Sequence, residues 1–160
     1  MGRQILITVL AVDPGKASGI ALISWSGNQE DLPKLELSFE AQPEQFADNV
    51  TTCLTAWKQY EKFAISCERF TINAQTVRNS QAPYSLEQIG VLKHLCRTNG
   101  YVPEDISFQT PADAKALFPN GALRKVGTWH KGGEGHALDA IRHALLKLTK
   151  LGWKPKVLLE

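Results

Sequence analysis

An α/β fold, one mixed five-stranded sheet with helices on both faces, is the architecture this sequence predicts, and three observations carry the prediction. The first is the stretch Ile5 to Ile23, ILITVLAVDPGKASGIALI, which reads as two apolar strands joined by a tight Pro14-Gly15 turn. The second is the order of periodicities along the chain, β-β-β-α-β-α-β-α-α. Three strands on short turns, followed by alternating helix and strand, put antiparallel and parallel pairs in one sheet and helices on its faces. The third is that two apolar strands close on a carboxylate, Asp13 and Glu68.

Taken in order, Ile5, Leu6, Ile7, Val9, Leu10 and Val12 form a nearly continuous aliphatic run, the pattern of a central strand buried on both faces. Asp13 ends that run, and Gly19-Ile20-Ala21-Leu22-Ile23 starts the return strand. Lys34 to Phe39 alternates, as a half-exposed third strand does. Pro43 and Glu44 suit the first turn of a helix that runs to about Tyr60, with Phe46, Val50, Leu54 and Trp57 as its inward stripe. Lys62 to Glu68 is a fourth strand. Thr71 to Pro83 is polar and reads as a loop with room for a short helical piece. Ser85 to Cys96 is helical, with Leu86, Ile89, Leu92 and Leu95 on one face, and Asn99-Gly100 stops it. Ile106 to Gln109 is a short fifth strand and Pro111 to Phe118 a short helix. Asn120 to Gly135, Gly-rich and basic, reads as a mobile loop. The last helix runs from about Glu134 to Leu151.

The 160 residues suit a single domain with a real core. No apolar run approaches the roughly 20 residues of a membrane helix, and the N-terminus reads as a core strand, not a signal peptide. Cys53, Cys67 and Cys96 are odd in number, widely spaced and without a CxxC, which argues against zinc and for buried thiols in a reducing cytoplasm. Net charge is only +2, but its distribution is uneven. Arg124 to Glu160 carries eight Lys/Arg against three acids, a net +5, while Ala17 to Glu61 carries two Lys against seven acids. A basic face suits a polyanion; chance clustering of solvated charge is the plainer alternative.

A carboxylate at the end of a buried strand is costly to desolvate without compensation. For Asp13 the compensation is either a bound cation or the cap of an Asp-Pro-Gly turn. Glu68, late in the fourth strand, lies at the same sheet end if the two strands are parallel neighbours; alone it reads as a surface acid paired nearby. His136 and Asp139 stand at i, i+3 near the start of the last helix, on one face. Leu138, Ile141, Leu145 and Leu148, widened by Ala137, Ala140 and Ala144, form the arc that packs on the sheet. His143, one turn beyond Asp139, reads as a surface histidine or as a partner of Asp139. Each residue alone has a bland explanation, but their convergence suits a hard divalent cation, Mg²⁺ or Mn²⁺. Two such ions roughly 4 Å apart clamp the attacking and leaving oxygens of a phosphodiester.

At these residues the sequence resembles the RuvC-type Holliday-junction resolvases of the ribonuclease H-like superfamily, especially their bacteriophage members. Ala11-Val12-Asp13-Pro14-Gly15 with Ser18-Gly19-Ile20-Ala21 is similar to the family's first motif, Ile65-Ser66-Cys67-Glu68-Arg69-Phe70 to its second, and His136-Ala137-Leu138-Asp139-Ala140 to its C-terminal motif. The resemblance covers almost the whole chain. It implies a cytoplasmic homodimer in a bacterial or phage-infected cell that makes paired nicks across a four-way DNA junction, leaving 5′-phosphates. It implies that Asp13, Glu68, His136 and Asp139 hold two Mg²⁺ or Mn²⁺ ions, with Asp13 between them. It also implies that the helix around Glu87-Gln88-Ile89-Gly90 lies near the dimer contact or the DNA entry. Two departures stand out. Lys16-Ala17-Ser18 replaces the Arg or Thr often found after the first motif, and His136 stands where many relatives have Asp, which favours Mn²⁺ over Mg²⁺.

For DNA contacts the candidates are Lys16, Arg69, Arg78, Lys115, Arg124, Lys125, His130 and Lys131 against phosphates, with Trp129 near sugar or base. Such contacts fix position without a sequence code. Phe70 reads either as a wedge at the crossover or as a core aromatic. Competing functions are a broader branched-DNA or RNA nuclease of the same fold, and a binding module without metal chemistry. An actin-like ATPase needs two lobes, for which the chain is too short.

Overall fold

The computed structural model describes residues 5–56, 62–78 and 82–160. Its strands are β1 (Ile7–Asp13), β2 (Ser18–Trp25), β3 (Lys34–Ala41), β4 (Lys62–Glu68) and β5 (Ser107–Gln109); its helices are α1 (Pro43–Ala56), α2 (Ala74–Arg78), α3 (Ala82–Thr98), α4 (Pro111–Leu117), α5 (Asn120–Val126) and α6 (His136–Lys150). The strands form one sheet in the order β3-β2-β1-β4-β5. β1 pairs antiparallel with β2 and parallel with β4, and β4 pairs parallel with β5. The mixed sheet expected from the chain order is therefore present, with the aliphatic β1 at its centre.

Side chains alternate across β1 and β2, so each strand feeds two cores. Val9, Ala11, Ala21 and Ile23 pack under α4, α5 and α6, while Leu10, Val12, Ile20 and Leu22 pack under α1 and α3. β3 departs from simple alternation. Its register with β2 shifts at Leu22/Ile23, so that Leu22 faces Leu37 but Ile23 faces Leu35. The extra residue, Glu36, is a bulge that turns Leu35 toward the α6 side and leaves Leu37 and Phe39 on the other.

Two expectations need correction. Asn120 to Gly135 is not a continuous loop: Ala122, Leu123 and Val126 bury one face of α5, and Gly127 ends it in the left-handed conformation. On α3 the expected Leu92 is buried and Ile89 and Leu95 pack partly against the core, but Ser85, Gln88 and Cys96 are buried as well and Leu86 points to solvent. Ser85 is buried at this end of α3 with its Oγ donating to the Pro14 carbonyl at 3.1 Å. The polar stretch after β4 holds the short helix α2, for which the sequence left room. Trp57 and the expected end of α1 at Tyr60 lie outside the described residues. All three cysteines are buried free thiols. Among the described residues, no helix is long and apolar enough to cross a membrane.

Candidate functional site

The site starts from strand register. Val12 is aligned with Cys67 in the parallel β1–β4 pair, so the next residues, Asp13 and Glu68, end their strands side by side. Val12 and Cys67 face the α1–α3 core; alternation turns Asp13 and Glu68 to the opposite face, where α6 lies.

Two features bring the start of α6 onto that face. Gly19, on β2 opposite Asp13, lies against the His136 backbone, and a Cβ there would run into the His136 carbonyl. Glu40, near the end of β3, accepts hydrogen bonds from the backbone N–H groups of Glu134 (2.7 Å) and His136 (3.1 Å). A carboxylate there satisfies orphan donors at the helix start and complements its dipole. Gly135 takes φ 96° as the chain enters the helix. The segment before α6 is also tied to β3 by His130 Nε2 and Ser38 Oγ, 2.8 Å apart, so the expected mobile stretch is anchored at both of these points.

Asp139, in the first turn of α6, then meets the strand ends. One carboxylate oxygen each from Asp13, Glu68 and Asp139 lie within 4.8 Å of one another. His136 is not a fourth member of that group; its Nδ1 sits 3.1 Å from Asp13 Oδ2, and its Nε2 is 3.8 Å from Glu134 Oε2.

Each carboxylate engages one oxygen with a side chain of α6. Asp13 Oδ2 meets His136 Nδ1. Glu68 Oε2 lies 3.0 Å from His143 Nε2, and His143 Nδ1 is 2.9 Å from Gln109 Oε1. Asp139 Oδ1 accepts from Arg142 at 2.7 Å, and Arg142 also donates to the Phe118 carbonyl (2.8 Å) and to Asn120 Oδ1. Among the described residues, the second oxygen of each carboxylate makes no side-chain or backbone hydrogen bond.

His143 is thus neither a surface residue nor a partner of Asp139. It is 1% exposed, because the position seven residues after His136 returns to the sheet face of the helix, over β4. The i, i+3 spacing of Asp139 and Arg142 was a local signal for that ion pair. Glu40 had no such signal, since its partners lie 94 and 96 residues away.

Burial pushes the Asp13 carboxyl up to about 6; the charges of Glu68 and Asp139 push the same way, and the His136 hydrogen bond opposes them. His136 is raised from its ordinary value, first by its hydrogen bond to Asp13. The two shifts differ in leading cause because Asp13 is sealed at the strand end while His136 remains partly exposed. Three crowded carboxylates, each with an open oxygen and one held toward its neutral form, are a donor set that fits a hard divalent cation.

The remaining candidates are spread over several segments of the chain. Lys16 is exposed in the β1–β2 turn; Arg69 and Phe70 directly follow β4, and Arg78 ends α2. Arg69 is exposed, and half-buried Phe70 belongs to neither core. Lys115, Arg124 and Lys125 are exposed on α4 and α5, and Lys131 on the segment before α6. Trp129 packs against the α6-side core with Arg124 stacked 4.4 Å from its ring, which leaves less of the indole for DNA than the sequence suggested. Several cations of the C-terminal excess are engaged within the chain: Arg142 is buried, Lys147 donates to Ser107 Oγ, Lys125 Nζ donates to the Glu160 carbonyl at 2.9 Å, and Lys156 lies 3.9 Å from Glu30 Oε1.

The fold has solved counterparts. RuvC of Thermus thermophilus matches with a TM-score of 0.69 at 15% identity, over 91% of this chain and 97% of that one. RuvC of T. thermophilus in complex with Holliday junction substrate matches at 0.65 and 14% identity, over 91% and 96%. The fowlpox virus Holliday junction resolvase matches at 0.53 and 13% identity, over 91% and 99%. The shared architecture is the ribonuclease H-like fold. No protein-family model matches the sequence, and no curated protein matches it.

Proposed function

We propose that this chain is a divalent-metal-dependent endonuclease that resolves four-way DNA junctions by paired symmetric nicks, working as a homodimer. The observation that carries this reading is the convergence of Asp13, Glu68 and Asp139 within 4.8 Å at the carboxyl end of the parallel strands. The likeness in fold to RuvC, over nine-tenths of both chains, supports it.

In this reading Asp13, Glu68 and Asp139 hold Mg²⁺ or Mn²⁺ through their open oxygens, and His136 takes part either as a ligand or through its bond to Asp13. The ions supply a nucleophilic water and charge stabilisation at the scissile phosphate. The chain's own task is placement. β1 and β4 present two carboxylates in register, and α6 carries the third and braces all of them. Burial of Asp13 among like charges makes the empty site electrostatically tense, so cation binding relieves a cost already built into the fold. The exposed Lys and Arg candidates position the DNA through its phosphates, and they read junction shape more than base edges.

The test is incubation with a labelled four-way junction, a flap and a linear duplex in Mg²⁺, Mn²⁺ and Ca²⁺, beside Asp13→Asn. Symmetric nicks in the junction that the variant does not make are the expected result. Equal cutting of flaps and junctions would widen the function to debranching. Junction binding with no cleavage in any metal would refute the enzyme and leave a binding module.

A further inference from the structure

We infer that His143 is a positioning residue for Glu68, fixing which oxygen of that carboxylate faces the metal. The inference rests on the metal-site reading above and names a residue of α6 that acts without touching metal or DNA. His143 is buried, and its ring reaches side chains at the ends of both β4 and β5. Nε2 meets Glu68 Oε2 at 3.0 Å and Nδ1 meets the Gln109 side chain at 2.9 Å. Its own carbonyl accepts from Ser66 Oγ at 3.2 Å, two residues before Glu68 on β4. The ring is therefore held at both nitrogens and at its backbone.

The chemistry of the partners sets the direction of these bonds. A carboxylate only accepts, so Nε2 carries the proton toward Glu68. With the proton on Nε2 a neutral ring accepts at Nδ1, so Gln109 meets it with its amide Nε2, which is otherwise buried without a partner and stands a half turn of the amide from the Oε1 that lies 2.9 Å away. Gln109 is itself only 3% exposed, in the last position of β5 beside Glu68. The donor at Nε2 keeps Glu68 Oε2 on His143 and leaves Oε1 without a hydrogen bond among the described residues. The argument is one of geometry and needs no change of charge on the histidine.

The experiment compares His143→Gln with His143→Asn. A glutamine amide places an N–H near the Nε2 position; an asparagine amide reaches only the Nδ1 position. Both remove the ring, so a purely structural role moves both alike. Mn²⁺ binding is read by titration calorimetry without DNA, with thermal melts to check folding. The brace predicts that His143→Asn binds Mn²⁺ about 10-fold or more weakly, as loss of a ligand's outer partner does, and that His143→Gln stays within about 3-fold of wild type on the same basis. Equal affinities of the two variants would overturn the inference. If His143→Asn does not fold, Gln109→Met frees Nδ1 and leaves the histidine in place. It is expected to weaken Mn²⁺ several-fold, and wild-type affinity there would overturn the brace. A wild-type protein that binds Mn²⁺ but cuts no junction would refute the proposed nuclease and leave the role of His143 to be decided by the isotherms. A wild type that binds no Mn²⁺ would overturn both.

Discussion

Replacing Asp13 by Asn is expected to stabilise the metal-free protein while abolishing its proposed chemistry. Asp13 is 6% exposed, and its carboxyl is raised from 3.8 to about 6 by burial and by Glu68 and Asp139. Holding that group ionised at pH 7.5 costs about 3 kcal/mol relative to the unfolded chain, at 1.36 kcal/mol per pK unit. The sign follows from linkage: an acid whose folded pKa is raised destabilises the fold above that pKa, and the cost vanishes below the unfolded value. Asparagine is nearly isosteric, carries no charge and still offers a hydrogen-bonding atom to His136 Nδ1. Allowing for a weaker bond there, a gain of about 1–3 kcal/mol remains, or a rise of roughly 2–4 °C in Tm for each kcal/mol at this chain length. The assay is thermal unfolding by circular dichroism in EDTA at pH 7.5 and again at pH 4. The gain should be largest at pH 7.5 and shrink toward pH 4. Added Mn²⁺ should raise the Tm of wild type and leave the variant nearly unchanged. A variant less stable than wild type at pH 7.5, or a gain independent of pH, would refute the argument that the site stores electrostatic tension.

Gly19→Ala places a methyl against the His136 carbonyl; overpacking of this kind costs about 1–3 kcal/mol, read as a lower urea midpoint together with weakened Mn²⁺ binding. Arg142→Met leaves Asp139, the Phe118 carbonyl and Asn120 without their shared donor, and breaking such a buried pair costs roughly 3–5 kcal/mol, which chemical denaturation measures. Junction affinity should fall steeply with salt, and Lys131→Ala or Arg124→Ala should each reduce the log–log slope by about 1 if that residue neutralises a phosphate; an unchanged slope removes it from the interface.

Local pattern carried the fold a long way. The aliphatic run of β1, the Pro14-Gly15 turn and the apolar stripes of α1 and α6 were all legible, because each is a matter of period and of one residue's conformational preference. α5 was not. Its apolar positions, Ala122, Leu123 and Val126, occupy barely two turns, and the Gly and basic residues around them read as loop chemistry; packing under the sheet overrides that weak propensity. The bulge at Glu36 was hidden for a different reason. Lys34 to Phe39 alternates cleanly in sequence, and only pairing with β2 reveals that its two halves serve different cores.

The candidate site divides along the same line. Asp13, Glu68, His136 and Asp139 were visible because each breaks a local rule or shares a local face. The restraints on them were not, since His143 meets Glu68 across 75 residues and Glu40 meets His136 across 96. Those restraints share one origin. Asp13 is held by His136, Glu68 by His143 and Asp139 by Arg142, and all three partners stand within the first eight residues of α6. The strands fix where the carboxylates begin, but α6 fixes where their oxygens point. Its seat depends in turn on Gly19 beneath it and Glu40 at its start. Assembly of the site thus reduces to the docking of two helical turns. A substitution that lifts this end of α6 should disturb all three carboxylates together, whereas one that removes a single brace should disturb one.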